Sequence, residues 1–201
     1  MKNILNIYIL LLFFLSIVSC ASSEDSSSTS SSTSTETTSS NEETSTSETT
    51  TSSSDENFIA VGSSGTIISS PDGITWTSRS SGTTDYLSGS AYGNSTFVVV
   101  GNNGTILTSS DDATSWTSRT SGTTEHLYRV TFGDSTFVAV GNNGTILSSS
   151  DGITWTSRTS GTSNILWAVK HVKKTFLTVG DNGTILTSSD NGTSWTSRTT
   201  G

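Results

Sequence analysis

"SSDGITWTSRTSG" occupies Ser149 to Gly161, and nearly the same words stand at 70–82 as "SPDGITWTSRSSG". Altered forms surround Trp116 and Trp195. A catalytic centre needs unlike residues converging once, so a phrase said four times speaks of architecture. The tryptophans Trp76, Trp116, Trp155 and Trp195 are 40, 39 and 40 residues apart, and the phenylalanines Phe58, Phe97, Phe137 and Phe176 are 39, 40 and 39 apart. A period near 40 suits propeller blades and also some helical repeats. These units are rich in Val, Ile, Thr, Phe and Trp, with Gly and Asn at the punctuation points and no 3.6-residue periodicity. They are therefore strands.

The third unit reads strand by strand. "LYRVTF" (127–132) is strand a, closed by a turn at Gly133-Asp134-Ser135. "TFVAVG" (136–141) is strand b, with Phe137 and Ala139 on one face and Val138 and Val140 on the other. Apolar residues on both faces mean a strand covered on both sides. "NNG" (142–144) supplies the positive φ that a tight hairpin needs. "TILSSS" (145–150) is strand c, and "WTSRT" (155–159) is strand d. Antiparallel four-stranded units covered on both faces are blades, so the fold class is all-β: a propeller of about four blades, each of about 40 residues. Nothing before Phe58 supplies a strand a to the first unit, which leaves fifteen strands in all. Three closures are compatible with that count: a gapped four-bladed ring, association with a second copy, or part of a larger propeller. The gapped monomer is preferred slightly, because its strands are short. An apolar strand edge at Phe58, Ile59, Ala60 and Val61 keeps a homodimer open.

The c–d turns carry a family resemblance. "SSDNGTSW" (188–195) and "SSDDATSW" (109–116) resemble the Asp-box, S-x-D-x-G-x-T-W, of BNR-type propellers. In the second unit Ala113 replaces Gly, and units one and three are one residue shorter. Over 57–201 the repeats look most like the photosystem II stability/assembly-factor-like group, which also reads "GTIL.SSD…TW". The resemblance implies a structural role for Asp72, Trp76, Asp111, Trp116, Asp151, Trp155, Asp190 and Trp195. Each Asp would accept hydrogen bonds from turn amides, and each Trp would bury its ring on the blade. The rival is a calcium site, but calcium wants several converging oxygens and each box offers one reliable carboxylate. No metal and no cofactor is expected.

The rest of the chain divides in two. Met1-Lys2 and the apolar run Ile4 to Val18 read as a signal peptide, 1–20, too short to span a membrane comfortably. "IVSC" (Ile17 to Cys20) resembles the bacterial lipobox, which implies lipid on Cys20, the single cysteine. More than one acyl chain makes such an anchor stable. Ala21 after the cysteine favours the outer membrane or cell surface by the sorting rule of two-membraned bacteria. Residues 21–56 are Ser and Thr with eight acids and no base. Such a tract cannot bury enough apolar surface to order itself, so it reads as a disordered tether of about 30–35 Å end to end. Of the net charge of −8, the domain 57–201 carries only −1, from nine acids and eight bases. That is not the basic footprint of a nucleic-acid binder.

Chemistry is scarce. Glycoside hydrolysis needs two carboxylates across one bond, and Asp85, Asp112, Glu125, Asp134 and Asp181 fall at turns or strand edges with no convergent pair. His126 reads as an edge residue, and neither it nor His171 stands near a nucleophile motif. The expectation is a non-enzyme. Two features suit a protein or glycan partner. Arg79, Arg119, Arg158 and Arg198 recur in "TSR", a symmetric set of cations, although solvated arginines pairing with nearby Asp are the plainer and preferred reading. The fourth unit breaks the pattern with "HVKKTF" (171–176), and Lys170, His171, Lys173 and Lys174 are either a selected contact or drift in a terminal blade. The sequence thus points to a lipid-anchored envelope propeller that binds. An assembly or stability factor for a membrane-protein complex is the first alternative, and a degenerate sialidase-like glycosidase the second.

Overall fold

The computed structural model describes residues 57–199. The signal segment, Cys20 and the tract of 21–56 lie outside the described residues. Four antiparallel sheets follow in chain order. Blade 1 holds β1 (Phe58–Val61), β2 (Ile67–Ser70) and β3 (Thr77–Arg79). Blade 2 holds β4 (Leu87–Gly93), β5 (Thr96–Gly101), β6 (Ile106–Ser109) and β7 (Thr117–Arg119). Blade 3 holds β8 (Leu127–Gly133), β9 (Thr136–Gly141), β10 (Ile146–Ser149) and β11 (Thr156–Arg158). Blade 4 holds β12 (Leu166–Val172), β13 (Thr175–Gly180), β14 (Ile185–Ser188) and β15 (Thr196–Ser197). The first blade has three strands, as the repeat count requires. Strands c and d are shorter than the sequence suggests, because Thr145, Ser150, Trp155 and Thr159 belong to the flanking turns and loops.

Turn chemistry sets the register. Asp134 and Ser135 have φ of 44° and 57°, the twin left-handed pair of a type I′ hairpin, and Gly133 pairs with Thr136 across it. Asn94-Ser95 and Lys173-Lys174 repeat this turn in blades 2 and 4. The b–c turn is a three-residue 3-10 turn, Asn142–Gly144 in blade 3. Gly144 is required twice there: its φ is +64°, and a Cβ would lie 2.0 Å from the Thr162 carbonyl oxygen of the following loop.

Each core lies between blades. Phe137 and Ala139 pack with Val98, Val100 and Ile106 of blade 2. Val138 and Val140, on the other face of the same strand, pack with Leu166, Phe176 and Leu186 of blade 4. Blades 1 and 2 share Ile59, Ile67, Phe97, Val99 and Leu107. Strand b is thus buried on both faces in blades 2 and 3, and its alternation assigns one side chain to each neighbour. The innermost strands touch directly. A Cβ on Gly93 would meet the Phe132 ring at 2.2 Å, and one on Gly133 would meet the His171 ring at 2.1 Å. Those glycines admit the next blade's inner strand. At the end of the series, Leu177 and Val179 are 37% and 39% exposed, whereas their counterparts Val138 and Val140 are fully buried. The four blades form an open arc.

Candidate functional site

The aspartates of the c–d turns are engaged locally. Asp151 Oδ1 accepts from the Ser149 hydroxyl at 2.9 Å and from the Ile153 and Thr154 amides at 2.8 Å each. Asp72 repeats this with Ser70, Ile74 and Thr75. The longer turns absorb their extra residue with consecutive left-handed residues, Asp112-Ala113 and Asn191-Gly192, and use both carboxylate oxygens. Asp111 Oδ1 accepts from Ser109 and from the Ser115 amide, while Oδ2 takes the Ser115 hydroxyl. Hydrogen bonds from Ser115 and then Ser109 hold Asp111 down at about 2, and the matching donors Ser194 and Ser188 lower Asp190 further. The turn then docks on the preceding blade: a Cβ on Gly152 would touch Val98 at 3.1 Å, and Ala113 is fully buried in the core shared with blade 1.

The tryptophans depart from expectation. Trp155 donates its indole N–H to the Gly152 carbonyl at 2.9 Å and lies 6.5 Å from Phe137, centroid to centroid. Its ring is only half-buried, like Trp116 and Trp195, and Trp76 is 39% exposed. Short and long turns alike leave part of the indole to solvent. The Trp116 nitrogen is buried and has no hydrogen-bond partner, unlike the other three.

The cations do not converge. Arg79, Arg119, Arg158 and Arg198 each donate Nε to a hydroxyl of strand c in their own blade, on Ser69, Thr108, Ser148 and Thr187, at 2.8 Å each. That leaves one guanidinium per blade on the outermost strand or, for Arg198, just after it, each held by a hydroxyl. His171 is half-buried, 3.1 Å from the Asp134 carboxylate of blade 3 and tilted on Phe176. It belongs to the contact between blades. Lys170 is exposed on the inner strand, and Lys173 and Lys174 form the a–b turn.

A second set of side chains does converge. Each inner strand carries a bulge after its first residue, where the register shifts between Leu87 and Gly89, Leu127 and Arg129, and Leu166 and Ala168. A bulge re-aims the extra residue, here Ser88, Tyr128 and Trp167. Tyr86, His126, Tyr128 and Trp167 form a row across three blades. Tyr86 meets His126 edge-on at 6.1 Å, His126 stacks on Tyr128 at 4.1 Å, and Tyr128 tilts against Trp167 at 4.5 Å. Trp167 donates to Asp181 Oδ1 at 2.6 Å. The row lies at the b–c-turn end, since the Tyr86 and His126 carbonyls accept from the Asn102 and Asn142 amides. The aspartate turns lie at the opposite end. Tyr86 and Trp167 are 45% and 44% exposed. Burial lowers His126, whose Nε2 is buried and makes no hydrogen bond to the protein. Burial and then the Asp181 charge raise Tyr128. His126 is therefore no ordinary edge residue. The legible signal was the departure from the repeat: "DYLSGS", "EHLYRV" and "NILWAV" differ where the rest is near-identical.

Of the carboxylates that the sequence left as catalytic candidates, four have a local partner or a place in a turn and none forms a convergent pair, while Glu125 lies half-buried beside His126. Asp85 accepts from Asn103 and Thr105, Asp134 faces His171, Asp181 accepts from Trp167, and Asp112 sits within a turn. Among the described residues no three His, Cys, Asp or Glu side chains gather as a metal site. The arrangement offers stacking surfaces and single polar handles.

Comparison with known proteins agrees with this architecture. The structure described as YCF48 bound to D1 peptide superposes with a TM-score of 0.58 at 18% identity, over 73% of this chain and 51% of that one. YCF48 from Cyanidioschyzon merolae gives 0.56 at 19%, over 72% and 53%. The GH74 enzyme of Niastella koreensis gives 0.50 at 22%, over 70% and 22%. This chain thus spans about half the length of the YCF48 structures, and at these identities the likeness is one of fold. The resemblance drawn from the repeats holds at that level. No curated protein matches the chain. The family model for the DUF6242 beta propeller domain matches residues 91–200, more than half of the sequence, from within β4 of blade 2 to the end of blade 4, and the chain belongs to that family.

Proposed function

We propose that this propeller is a non-catalytic interaction module, held at the bacterial cell envelope by lipid on Cys20 and binding a protein partner across the row of Tyr86, His126, Tyr128 and Trp167. The observation that carries the reading is that the repeat varies where this row forms. Exposed Tyr and Trp give large contact area with little rotamer freedom to lose and a polar handle at the edge. The repeated arginines remain candidates for an acidic stretch of the same partner. A solved YCF48 structure holds a D1 peptide, so a related fold takes a polypeptide ligand. That likeness also favours the second reading, an assembly or stability factor for a membrane-protein complex.

The test is a photo-crosslinking amino acid placed at Trp167 in living cells, with the same residue at Thr120 on the outer rim as control. One partner captured from Trp167 and not from Thr120, and lost with Tyr128→Ala, is the expected result. An integral-membrane subunit as that partner would select the assembly reading. Equal capture at both positions would overturn the row as a site. Hydrolysis of a glycoside panel, abolished by a carboxylate variant, would overturn the non-catalytic reading.

A further inference from the structure

Each blade of the arc meets the next through one recurring kind of interface, and the arc ends in two sheet faces, on blades 1 and 4, that no such interface covers. Between consecutive blades that interface appears three times, and two of its parts, the strand-b residue under the turn glycine and the inner-strand glycine, recur between blades 2 and 3 and between blades 3 and 4. The earlier blade contributes an apolar strand-b residue, Val98 or Val138, on which the next blade's turn glycine lands, Gly152 at 3.1 Å and Gly192 at 2.9 Å to a built Cβ. It contributes an a–b turn side chain that reaches across: Asn94 donates to the Ser150 carbonyl at 3.1 Å, and Asp134 meets His171. It contributes an inner-strand glycine, Gly93 or Gly133, that admits an aromatic ring of the next inner strand.

Blade 4 presents the same three positions with different residues. Leu177 stands for Val98 and Val138, and it is exposed. Lys173 stands for Asn94 and Asp134 in the left-handed turn. Val172 stands for Gly93 and Gly133, and it is 54% exposed. A further full blade of this type would drive its inner-strand ring into the Val172 side chain. A three-stranded blade with no inner strand would not. Blade 1 is such a blade among the described residues. Its free face carries half-buried Phe58, Ala60 and Ile68, and its turn shows Ile74 84% exposed, with Gly73 touching only Phe58 of its own blade. By the repeat, Gly73 would land on Leu177. Placed as Asn94 is, whose side chain reaches the Ser150 carbonyl, Lys173 would then lie near the Pro71 carbonyl.

We infer that the free face of blade 4 takes blade 1 of a second copy, and that two such head-to-tail contacts close a ring of eight blades from two chains. A heterologous contact closes only if its rotation completes a ring, and eight blades lie within the range that propellers adopt. The "HVKKTF" departure in blade 4 is then the adaptation of one face to an incomplete neighbour. This goes beyond the binding role proposed above and is independent of it.

Two measurements on the full chain, purified in mild detergent, test it. Native mass spectrometry should give twice the single-chain mass, and Leu177→Lys should weaken association by about 30-fold or more. Leu177 is exposed in the arc, so circular dichroism of this variant should remain that of the wild type. Second, Thr96 and Ile153 line one cleft between blades 2 and 3, so their counterparts Thr175 and Ile74 should meet between copies. Mixing Thr175→Cys chains with Ile74→Cys chains should yield an oxidised dimer that neither yields alone. A single-chain mass at about 50 μM, a mass that keeps growing with concentration, or a dimer indifferent to Leu177→Lys would each overturn the closed ring.

Discussion

Asp151 uses only one of its carboxylate oxygens in its turn, because Ser149 and both amides converge on Oδ1. Asp151→Asn keeps that oxygen and should leave the urea midpoint almost unchanged. Asp151→Ala strips it and should cost about 1 kcal/mol, at the low end because Ile153 and Thr154 are exposed and water replaces the lost acceptor. Equal losses for the two variants would refute the one-oxygen account. Asp111 behaves differently with pH. Its folded value lies near 2, below the ordinary 3.8. The stabilisation it contributes is therefore complete above 3.8 and is lost as pH falls from there toward 2. Solvent screening keeps the effect small at so exposed a site. Ser115→Ala removes its largest cause, so the melting temperature of that variant should fall less steeply over the same window. Since each turn supplies a single carboxylate and no three His, Cys, Asp or Glu side chains gather among the described residues, millimolar calcium should leave the wild-type melting temperature unchanged. A calcium-dependent rise would mean these turns hold metal. At the other end of the chain, Cys20→Ala should lose both the label from a palmitate analogue and the membrane fraction, and equal labelling of wild type and variant would sink the anchor.

Elements in this fold are stabilised by their neighbours more than by themselves. Gly133 shows this at the contact of β8 and β12. A methyl there would occupy the His171 ring, so Gly133→Ala should destabilise the domain by about 1–3 kcal/mol through overpacking. The damage should appear as faster amide exchange in β12 first, and uniform loss across all blades would argue against a local wedge. Trp155→Ala should cost about 2 kcal/mol, less than a core tryptophan, because part of the ring stays exposed. Trp76→Ala should cost less still, since no blade precedes it among the described residues to cover its turn. The order of the strands and the bounds of strand b were legible because period-2 alternation and left-handed turn pairs such as Asp134-Ser135 are local properties, whereas strands c and d came out shorter than expected. The bulges at Ser88, Tyr128 and Trp167 were not. A bulge changes register between two strands, and neither strand alone records it.

The whole molecule behaves as a short linear array whose units contact only their neighbours. Blades 2 and 3 are covered on both faces, whereas blades 1 and 4 are covered on one. In the monomeric Leu177→Lys form, the Val99 and Ala139 amides should therefore exchange most slowly, and Val179 should exchange faster by a measurable factor. Equal protection of Val179 and Ala139 would mean that blade 4 is covered after all. The same comparison in wild type reports on the second copy, which should slow Val179 alone among the three.

The role of the aspartate turns came by resemblance, but the sequence read without coordinates determines the period, the strand order within a blade and the three strands of blade 1 among the described residues. All of these follow from contacts a few residues apart, repeated four times. Only the tertiary structure brought the aromatic row together and left one face of blade 4 uncovered. Tyr86, His126, Tyr128 and Trp167 sit in three different units, and nothing in their spacing announces that a bulge and a blade-to-blade rotation will stack them. Val172 looks like drift until Gly93 and Gly133 are seen each holding a ring from the next blade. Contacts between units depend on how one sheet turns against another, and that angle comes from the packed cores that two blades share.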